Sequence, residues 1–150
     1  MNQRIALGVF IAVPLAAGMV IGYATAPGAW YAALVKPGFN PPNWVFAPVW
    51  STLYVLIGVA GWLVWRRAAA SPAMAFWGLQ MLLNWAWSPV FFTLHAPGAA
   101  LVIILLLLIS ILAFLFFARR VDRLAAWLFL PYAVWVAFAT ALNFEIWRLN

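Results

Sequence analysis

The sequence contains no cysteine, a single histidine and only two acidic residues among its 150 positions. Without cysteine the chain can form no disulfide, no thiolate metal site and no thiol-based catalytic centre. His95 has no second histidine with which to complete a two-histidine haem site, and nothing supports a Ser-His-Asp arrangement. We therefore expect no metal site and no required cofactor.

Charge is scarce as well. Charged residues make up 7% of the sequence, and none of the long apolar runs contains Asp, Lys, Arg or His, while Glu145 lies near the end of the last run. Carriers coupled to protons or ions usually need an ionisable relay inside the membrane, so coupled transport is disfavoured. The net charge of +6 comes from basic residues placed between apolar runs. This is the charge bias of membrane loops, and it does not indicate nucleic-acid binding.

Apolar residues are what the sequence has in abundance. They form 69% of the chain, and the mean hydropathy is +1.07, whereas a soluble domain is about half apolar. Five runs approach the roughly 20 residues that a helix needs to cross a bilayer, and they lack the alternation of barrel strands. We predict an all-α integral membrane protein in which residues 1–150 form a single domain. The five predicted transmembrane helices lie at about 5–24, 44–65, 72–93, 97–118 and 122–147.

The two ends of this bundle differ in charge. Five spans would put the chain termini on opposite sides of the membrane. Arginines at positions 4, 66, 67, 119, 120 and 123 fall on the side of the N-terminus, against Lys36 and Arg148 on the other. The excess predicts a cytoplasmic N-terminus. An A-x-A sequence at 24–26 imitates a signal-peptide cleavage site; because Pro27 would follow the cut, we expect the first helix to be retained.

Ends of three helices can be assigned from local chemistry. Ser71 followed by Pro72 is typical of a helix start, and Asp122 is suited to cap the fifth helix. Arg119 and Arg120 suit the negative end of the fourth helix.

The first connection, residues 25–43, is the only long one, and we predict that it forms a lid over one end of the bundle. Long connections without secondary structure tend to be functional. An aromatic belt at the membrane interface is the alternative. The predicted lid residues are Trp30, Phe39, Pro41, Pro42 and Trp44.

Helical spacing places aromatic and polar side chains on shared faces. The faces comprise Trp50 and Tyr54 on the second helix, Gln80, Asn84 and Ser88 with Trp87 and Phe91 on the third, and Tyr132, Trp135, Ala139 and Asn143 on the fifth. Polar groups in a bilayer turn toward other helices or toward a cavity. These groups could therefore join helices in a filled core or line a pocket.

Prolines favour the pocket. They interrupt four of the five helices, at positions 14, 48, 89 and 131, and helices kinked by proline can splay apart. We expect Pro48 to bend the second helix so that Trp50 and Tyr54 face a cavity. The fourth helix has no internal proline or tryptophan, and we expect its Leu-Ile run to face lipid. A mostly apolar pocket with few polar anchors is typical of a ligand site.

Three stretches resemble a known family. They are WYAALVKPGFNPPNWVFAPVWSTLY at 30–54, LLNWAWSPVFF at 82–92 and LPYAVWVAFATALNFEIWRLN at 130–150. In this order they resemble the tryptophan-rich sensory protein or translocator protein family, also called TspO/MBR or peripheral-type benzodiazepine receptor. The chain looks like a bacterial member, which implies a bacterial cell membrane.

The resemblance implies a homodimer that binds porphyrins, sterols and synthetic isoquinoline or benzodiazepine ligands in a pocket within one subunit, closed by the first loop. We accordingly predict a membrane receptor or regulator that binds tetrapyrroles (porphyrin, haem precursors) and similar apolar ligands, with a role in their transport left open. The predicted ligand-binding residues are Tyr31, Trp50, Tyr54, Gln80, Asn84, Trp87, Ser88, Phe91, Tyr132, Trp135 and Ala139.

Two other functions stay open. The first is a light-dependent porphyrin-degrading enzyme, in which the resemblance implicates Trp50 and Trp135, although we favour binding over catalysis. The second is a passive exporter or channel. The sequence departs from the family at Phe39, where many members have Trp, and at Phe144, which replaces the tyrosine of a C-terminal sterol motif. The second departure weakens the case for sterol binding.

Two surfaces could mediate the dimer. Gly18 and Gly22 form a GxxxG pair on the first helix, a spacing that permits close helix approach. The third helix offers a second small-residue face, formed by Ser71, Ala75, Leu79 and the Met74–Gly78 pair. The resemblance favours the third helix.

Overall fold

The computed structural model describes residues 2–150, and it is all-helical, with no strand in that part of the chain. The predicted all-α class is confirmed. The elements in chain order are α1 (Gln3–Ala24), α2 (Ala29–Ala33), a 3-10 turn (Asn43–Val45), α3 (Phe46–Ala68), α4 (Pro72–Ser88), a π-helical turn (Pro89–Thr93), α5 (Pro97–Val121) and α6 (Arg123–Leu149).

Four helical segments are long and apolar enough to cross a membrane: Gln3–Ala24, Asn43–Ala68, Pro97–Val121 and Arg123–Leu149. They support the assignment of an integral membrane protein. The remaining long helix, α4, has 17 residues before its pattern changes to the five-residue π-helical turn. A fifth span therefore stays a prediction.

The helix ends follow the predicted chemistry. The Ser71 side-chain oxygen accepts from the Met74 backbone N at 3.3 Å, directly before Pro72 in the first position of α4. Asp122 Oδ1 accepts from the backbone N of Leu124 at 2.9 Å at the start of α6. Both caps are confirmed, because the signal and its effect lie within one helical turn.

Proline positions differ from the expectation in one case. Pro14 and Pro131 lie inside α1 and α6, and Pro89 begins the π-helical turn. Pro48, however, is the third residue of α3. The first amides of a helix have no intrahelical acceptor, so a proline here removes no hydrogen bond. Pro48 therefore belongs to the start of α3 and does not interrupt it; a bend of the helix at this residue stays a prediction.

The helices pack as a ring in which α5 contacts α4 and α6, and α3 contacts α1 and α6. The Leu-Ile run of α5 was expected to face lipid, and this expectation is wrong for one face of the helix. Ile104, Leu107, Ile111 and Phe114 of α5 are buried, and the Phe114 ring lies 4.0 Å from that of Phe129. Packing against two neighbours buries one stripe and leaves Leu and Ile of the other stripe exposed.

Glycines let α1 approach α3 closely. A Cβ at Gly58 would lie 2.3 Å from the backbone oxygen of Phe10, and a Cβ at Gly18 would lie 2.1 Å from the Tyr54 ring. Gly18 is therefore used inside this chain, where it makes room for Tyr54. Gly22, its partner in the GxxxG pair, has no neighbouring atom within 4 Å.

Candidate ligand pocket

A cavity of about 560 Å³ lies between the helices and reaches the end of the bundle where residues 25–43 cross. Its wall is mostly apolar, and none of the residues in the wall is charged. Nine of the eleven predicted ligand-binding residues lie in the wall, namely Tyr31, Trp50, Tyr54, Asn84, Trp87, Ser88, Phe91, Trp135 and Ala139. The structure brings together side chains from α2, α3, α4 and α6 that the sequence separates by up to about a hundred positions.

Many of the side chains in this wall are aromatic. Trp50 lies 5.5 Å from Tyr54 and 6.2 Å from Tyr132, measured between ring centroids. Trp135 meets Phe46 edge to face at 5.9 Å. Such spacings are those of attractive aromatic pairs. The rings therefore hold one another in place and present fixed surfaces to the cavity.

A hydrogen-bonded network lies behind these rings, centred on the Asn84 side chain. The Tyr54 hydroxyl donates to Asn84 Oδ1 at 2.8 Å, and Asn84 Nδ2 donates to the Tyr132 hydroxyl at 3.0 Å. Tyr132 in turn donates to Gln80 Oε1 at 2.9 Å. The network joins α3, α4 and α6, and it leaves the buried amide of Asn84 satisfied on both sides.

Gln80 and Tyr132 do not reach the cavity. Both are fully buried, and Gln80 Nε2 donates to the backbone oxygen of Trp77 at 2.9 Å. The Trp77 indole then donates to the backbone oxygen of Ile57 at 2.9 Å. The sequence left open whether the polar side chains of this helix join helices or line a pocket. Gln80 only joins helices, whereas Asn84 joins helices and also lies in the cavity wall.

The first connection supplies one predicted residue to the wall. Tyr31 of α2 is buried, with its ring 5.3 Å from Phe92, and its hydroxyl donates to Asn40 Oδ1 at 3.3 Å. Burial raises the pKa of the Tyr31 phenol, and the hydrogen bond to Asn40 offsets only part of this rise. The phenol therefore remains neutral and available as a donor or acceptor.

The five predicted lid residues lie outside the wall. Trp30 stacks on His95 with ring centroids 4.3 Å apart, and Phe39 meets Phe138 edge to face at 6.0 Å. Trp44 is 75% exposed and does not line the cavity. Pro41 and Pro42 lie in the same crossing segment without contributing to the wall.

The far end of α6 holds the first connection in place. Asn150 Nδ2 donates to the backbone oxygen of Val35 at 3.0 Å, and Val35 N donates back to Asn150 Oδ1 at 3.0 Å. Position 35 is thereby fixed across 115 residues of sequence. No local sequence signal indicated this pair.

Eight polar or aromatic residues of the wall are not among the predicted ligand-binding residues: Tyr23, Thr25, Asn43, Phe46, Ser51, Trp85, Phe92 and Asn143. Thr25 and Ser88 share a hydrogen bond of 2.6 Å between their hydroxyls, which joins the end of α1 to the end of α4. Asn143 Oδ1 accepts from the Trp87 indole at 3.0 Å. The spacing of four residues after Ala139 placed Asn143 on the predicted inward face of the last helix, whereas the position of Thr25 depends on a distant partner.

Two indole donors in the wall have no acceptor. The Nε1 atoms of Trp85 and Trp135 are buried and make no hydrogen bond within residues 2–150. Buried donors normally find a partner. The arrangement therefore combines flat apolar surfaces, neutral hydroxyl and amide groups and two unused indole donors, and it contains no acid or base for proton transfer.

Comparison with known proteins gives consistent matches. The model of the TspO/MBR family matches residues 10–148. The chain is 43% identical over 127 residues to the translocator protein of Homo sapiens, covering 81% of this chain and 75% of that protein. It is 38% identical over 157 aligned positions to the tryptophan-rich protein TspO of Chlorobaculum tepidum, covering 100% and 99%. It is 35% identical over 150 residues to the tryptophan-rich sensory protein of Cereibacter sphaeroides, covering 100% and 95%.

Proposed function

The chain belongs to the TspO/MBR family, and from this premise we propose that it is a membrane receptor or regulator that binds tetrapyrroles and similar flat apolar ligands between its helices. The observation that carries this proposal is the uncharged cavity whose wall combines Trp50, Tyr54 and Trp135 with the amide of Asn84. Its volume of about 560 Å³ lies within the range of small-molecule sites.

The chemistry of the wall supports a flat conjugated ligand. Stacked and edge-to-face aromatic contacts stabilise such a ring system by about 0.5–1.5 kcal/mol each beyond the burial of its area. The unpaired indole donors of Trp85 and Trp135 are suited to acceptor atoms on the ligand. Porphyrins and haem precursors offer both a large π surface and oxygen acceptors.

Removing Trp50 tests the assignment. We expect Trp50→Ala to weaken protoporphyrin binding by about two- to twelve-fold, the factor that corresponds to one lost aromatic contact. Fluorescence titration of the purified protein in detergent measures the dissociation constant. Trp127→Ala is the matched control, because this tryptophan of α6 is 69% exposed and lies outside the cavity. An unchanged constant in a folded Trp50→Ala protein, or an equal loss in the control, would remove Trp50 from the site.

A light-dependent enzyme is the second candidate, favoured by one observation. Trp50 and Trp135 both lie in the wall, and Trp50 is followed by the rings of Tyr54 and Tyr132 at 5.5 and 6.2 Å. A tryptophan in contact with a photo-excited porphyrin can donate an electron to it without any acid or base. Illumination with Trp135→Phe distinguishes the two: product that requires both the protein and Trp135 supports catalysis, and equal bleaching in buffer supports binding alone.

The finer architecture belongs to the same proposal. We infer that α4 and its π-helical turn together cross the membrane, since their 22 residues, Pro72–Ser88 and Pro89–Thr93, would extend roughly 33 Å at the rise of a helix. Five spans with the arginine-rich end inside place the N-terminus in the cytoplasm of a bacterial cell. The segment 25–43 then closes the outer end of the cavity through Tyr31.

A further inference from the structure

A second cleft lies at the opposite end of the bundle, where α1 begins and α3 ends. It has a volume of about 640 Å³ and is lined by Gln3, Arg4, Leu7, Trp62, Arg66 and Arg67. Three of these six side chains are guanidinium groups, and none is acidic. The cleft shares no residue with the aromatic cavity.

The positive charge of this cleft is only partly neutralised. Asp122 Oδ2 lies 3.2 Å from Arg67 Nε and 3.9 Å from Arg66 Nη2. The other oxygen of this carboxylate caps α6 through Leu124 N. The second acidic side chain of the sequence, Glu145, pairs with Arg148 at the far end of α6. One carboxylate therefore pairs with two of the three guanidinium groups, and the sequence contains no further acidic side chain.

Arg67 is the most engaged of the three guanidinium groups, since its Nη1 also donates to the backbone oxygen of Val121 at 3.2 Å. Arg4 has no side-chain hydrogen bond or ion pair to any residue from 2 to 150. Arg66 is held above the Trp62 ring, with its guanidinium carbon 4.6 Å from the ring centroid. Each guanidinium has five N–H donors in a planar fork that matches the oxygens of a phosphate. The site is therefore prepared for an anion with several oxygens.

Apolar groups form the rest of the lining. Leu7 and the Trp62 indole belong to helices that are each long and apolar enough to span a membrane. The cleft consequently lies where those spans reach the membrane surface, and it combines cationic donors with an apolar wall. A small soluble anion has no apolar atoms that could contact Leu7 and Trp62, whereas a phospholipid carries glycerol and acyl carbons next to its phosphate.

We propose that this cleft binds the phosphate of an anionic membrane phospholipid, with Arg4, Arg66 and Arg67 as donors and Leu7 and Trp62 against the adjoining apolar atoms. The uncompensated positive charge selects a lipid with net negative charge over a zwitterionic one, because basic side chains near a membrane surface attract anionic lipid. The site is independent of the aromatic cavity and of what that cavity binds.

Native mass spectrometry of the full chain in detergent tests the proposal. Phosphatidylglycerol and phosphatidylcholine with identical acyl chains are added at about 0.15 M ionic strength. Charges more than about 8 Å apart are screened under this condition, so only close contacts contribute. We expect phosphatidylglycerol to be retained at least about five-fold better, and Arg4→Gln to lower its retention by about five-fold, the factor for one basic residue. Arg4 pairs with no residue from 2 to 150, so this change leaves the fold intact.

Arg119→Gln with Arg120→Gln is the matched control. These arginines lie at the same end of the molecule, over the Phe116 ring and outside the cleft, and we expect their loss to leave retention unchanged. Equal retention of the two lipids, no effect of Arg4→Gln, or an equal loss in the control would overturn the proposal. Displacement of phosphatidylglycerol by millimolar inorganic phosphate would assign the cleft to a soluble anion instead.

Discussion

The Asn84 amide is the residue on which the aromatic cavity depends most. It accepts from Tyr54 on one side and donates to Tyr132 on the other, and it is 6% exposed. An amide is suited to this position because it offers a donor and an acceptor at once. The orientation of two tyrosines from different helices is thereby set by a single side chain.

Replacing this amide should cost stability as well as affinity. We expect Asn84→Leu to lower the free energy of unfolding by about 1–3 kcal/mol, because the buried Tyr54 hydroxyl loses its acceptor. Denaturation of the detergent-solubilised protein, followed by tryptophan fluorescence, measures the change. Ser51→Ala is the control, since Ser51 also lies in the wall but bonds only to Ala47 of its own helix. A loss no larger than that of the control would show that the network does not stabilise the fold.

At the scale of elements, the contact between α1 and α3 is set by backbone proximity. The backbone of α1 near Phe10 passes over Gly58 of α3 so closely that no side chain fits between them. Close approach of this kind drives helix association in a bilayer through dispersion forces. The first helix is otherwise largely exposed, so this contact is important for holding α1 against the cavity.

A methyl group at this crossing should separate the two helices. We expect Gly58→Ala to destabilise the protein by about 1–3 kcal/mol, the cost of overpacking, because its Cβ would meet backbone atoms that cannot rotate away. The midpoint of thermal unfolding in detergent checks this. Gly8→Ala on α1 has no atom within 4 Å of the new methyl and should be neutral or stabilising. If both variants unfold at the same temperature, the close contact does not hold α1 in place.

At the scale of the whole molecule, the number of membrane spans determines on which side of the membrane each connection between helices lies. Whether α4 crosses the membrane determines the side on which α5 and α6 begin. The two connections that flank α4 carry exposed positions, Ala69 and Leu94. The absence of native cysteine allows each to be labelled singly.

Five spans predict that the two connections lie on opposite sides. In intact cells we expect a membrane-impermeant maleimide to label Leu94→Cys and not Ala69→Cys, with both labelled after permeabilisation. Labelling of both positions, or of neither, in intact cells would mean that α4 does not cross. Labelling of Ala69→Cys alone would invert the orientation and contradict the rule for basic residues.

The outward face of α4 is the better candidate for a dimer interface. Ala75 and Leu79 are exposed, and Gly78 has no atom of this chain within 4 Å. Gly18 of the alternative GxxxG pair is covered by Tyr54. We propose a homodimer through α4 and expect oxidative cross-linking of Ala75→Cys in membranes, with Gly22→Cys as the comparison. If only Gly22→Cys cross-links, the interface lies on α1.

The sequence by itself determined the class of the protein and the positions of its helices. Hydropathy over some twenty residues and caps such as Ser71 and Asp122 act locally, so α1, α4 and α5 begin within about two residues of their predicted starts. The helical period also placed Gln80 and Asn84 on one inward face, because that period requires no knowledge of neighbouring helices. Nine of the eleven residues predicted from shared helical faces and family motifs lie in the wall of the aromatic cavity.

Only the tertiary structure decided which of these side chains reach the cavity. Trp50 lies in the wall while Trp44 is exposed outside it, although both are tryptophans near the start of one helical segment. Tyr132 lies behind the wall because Trp50 packs over it. Thr25 enters the wall through a hydroxyl contact with Ser88, 63 positions later. Such placements depend on which helices become neighbours and how closely they approach, and these follow from packing between segments that are distant in sequence.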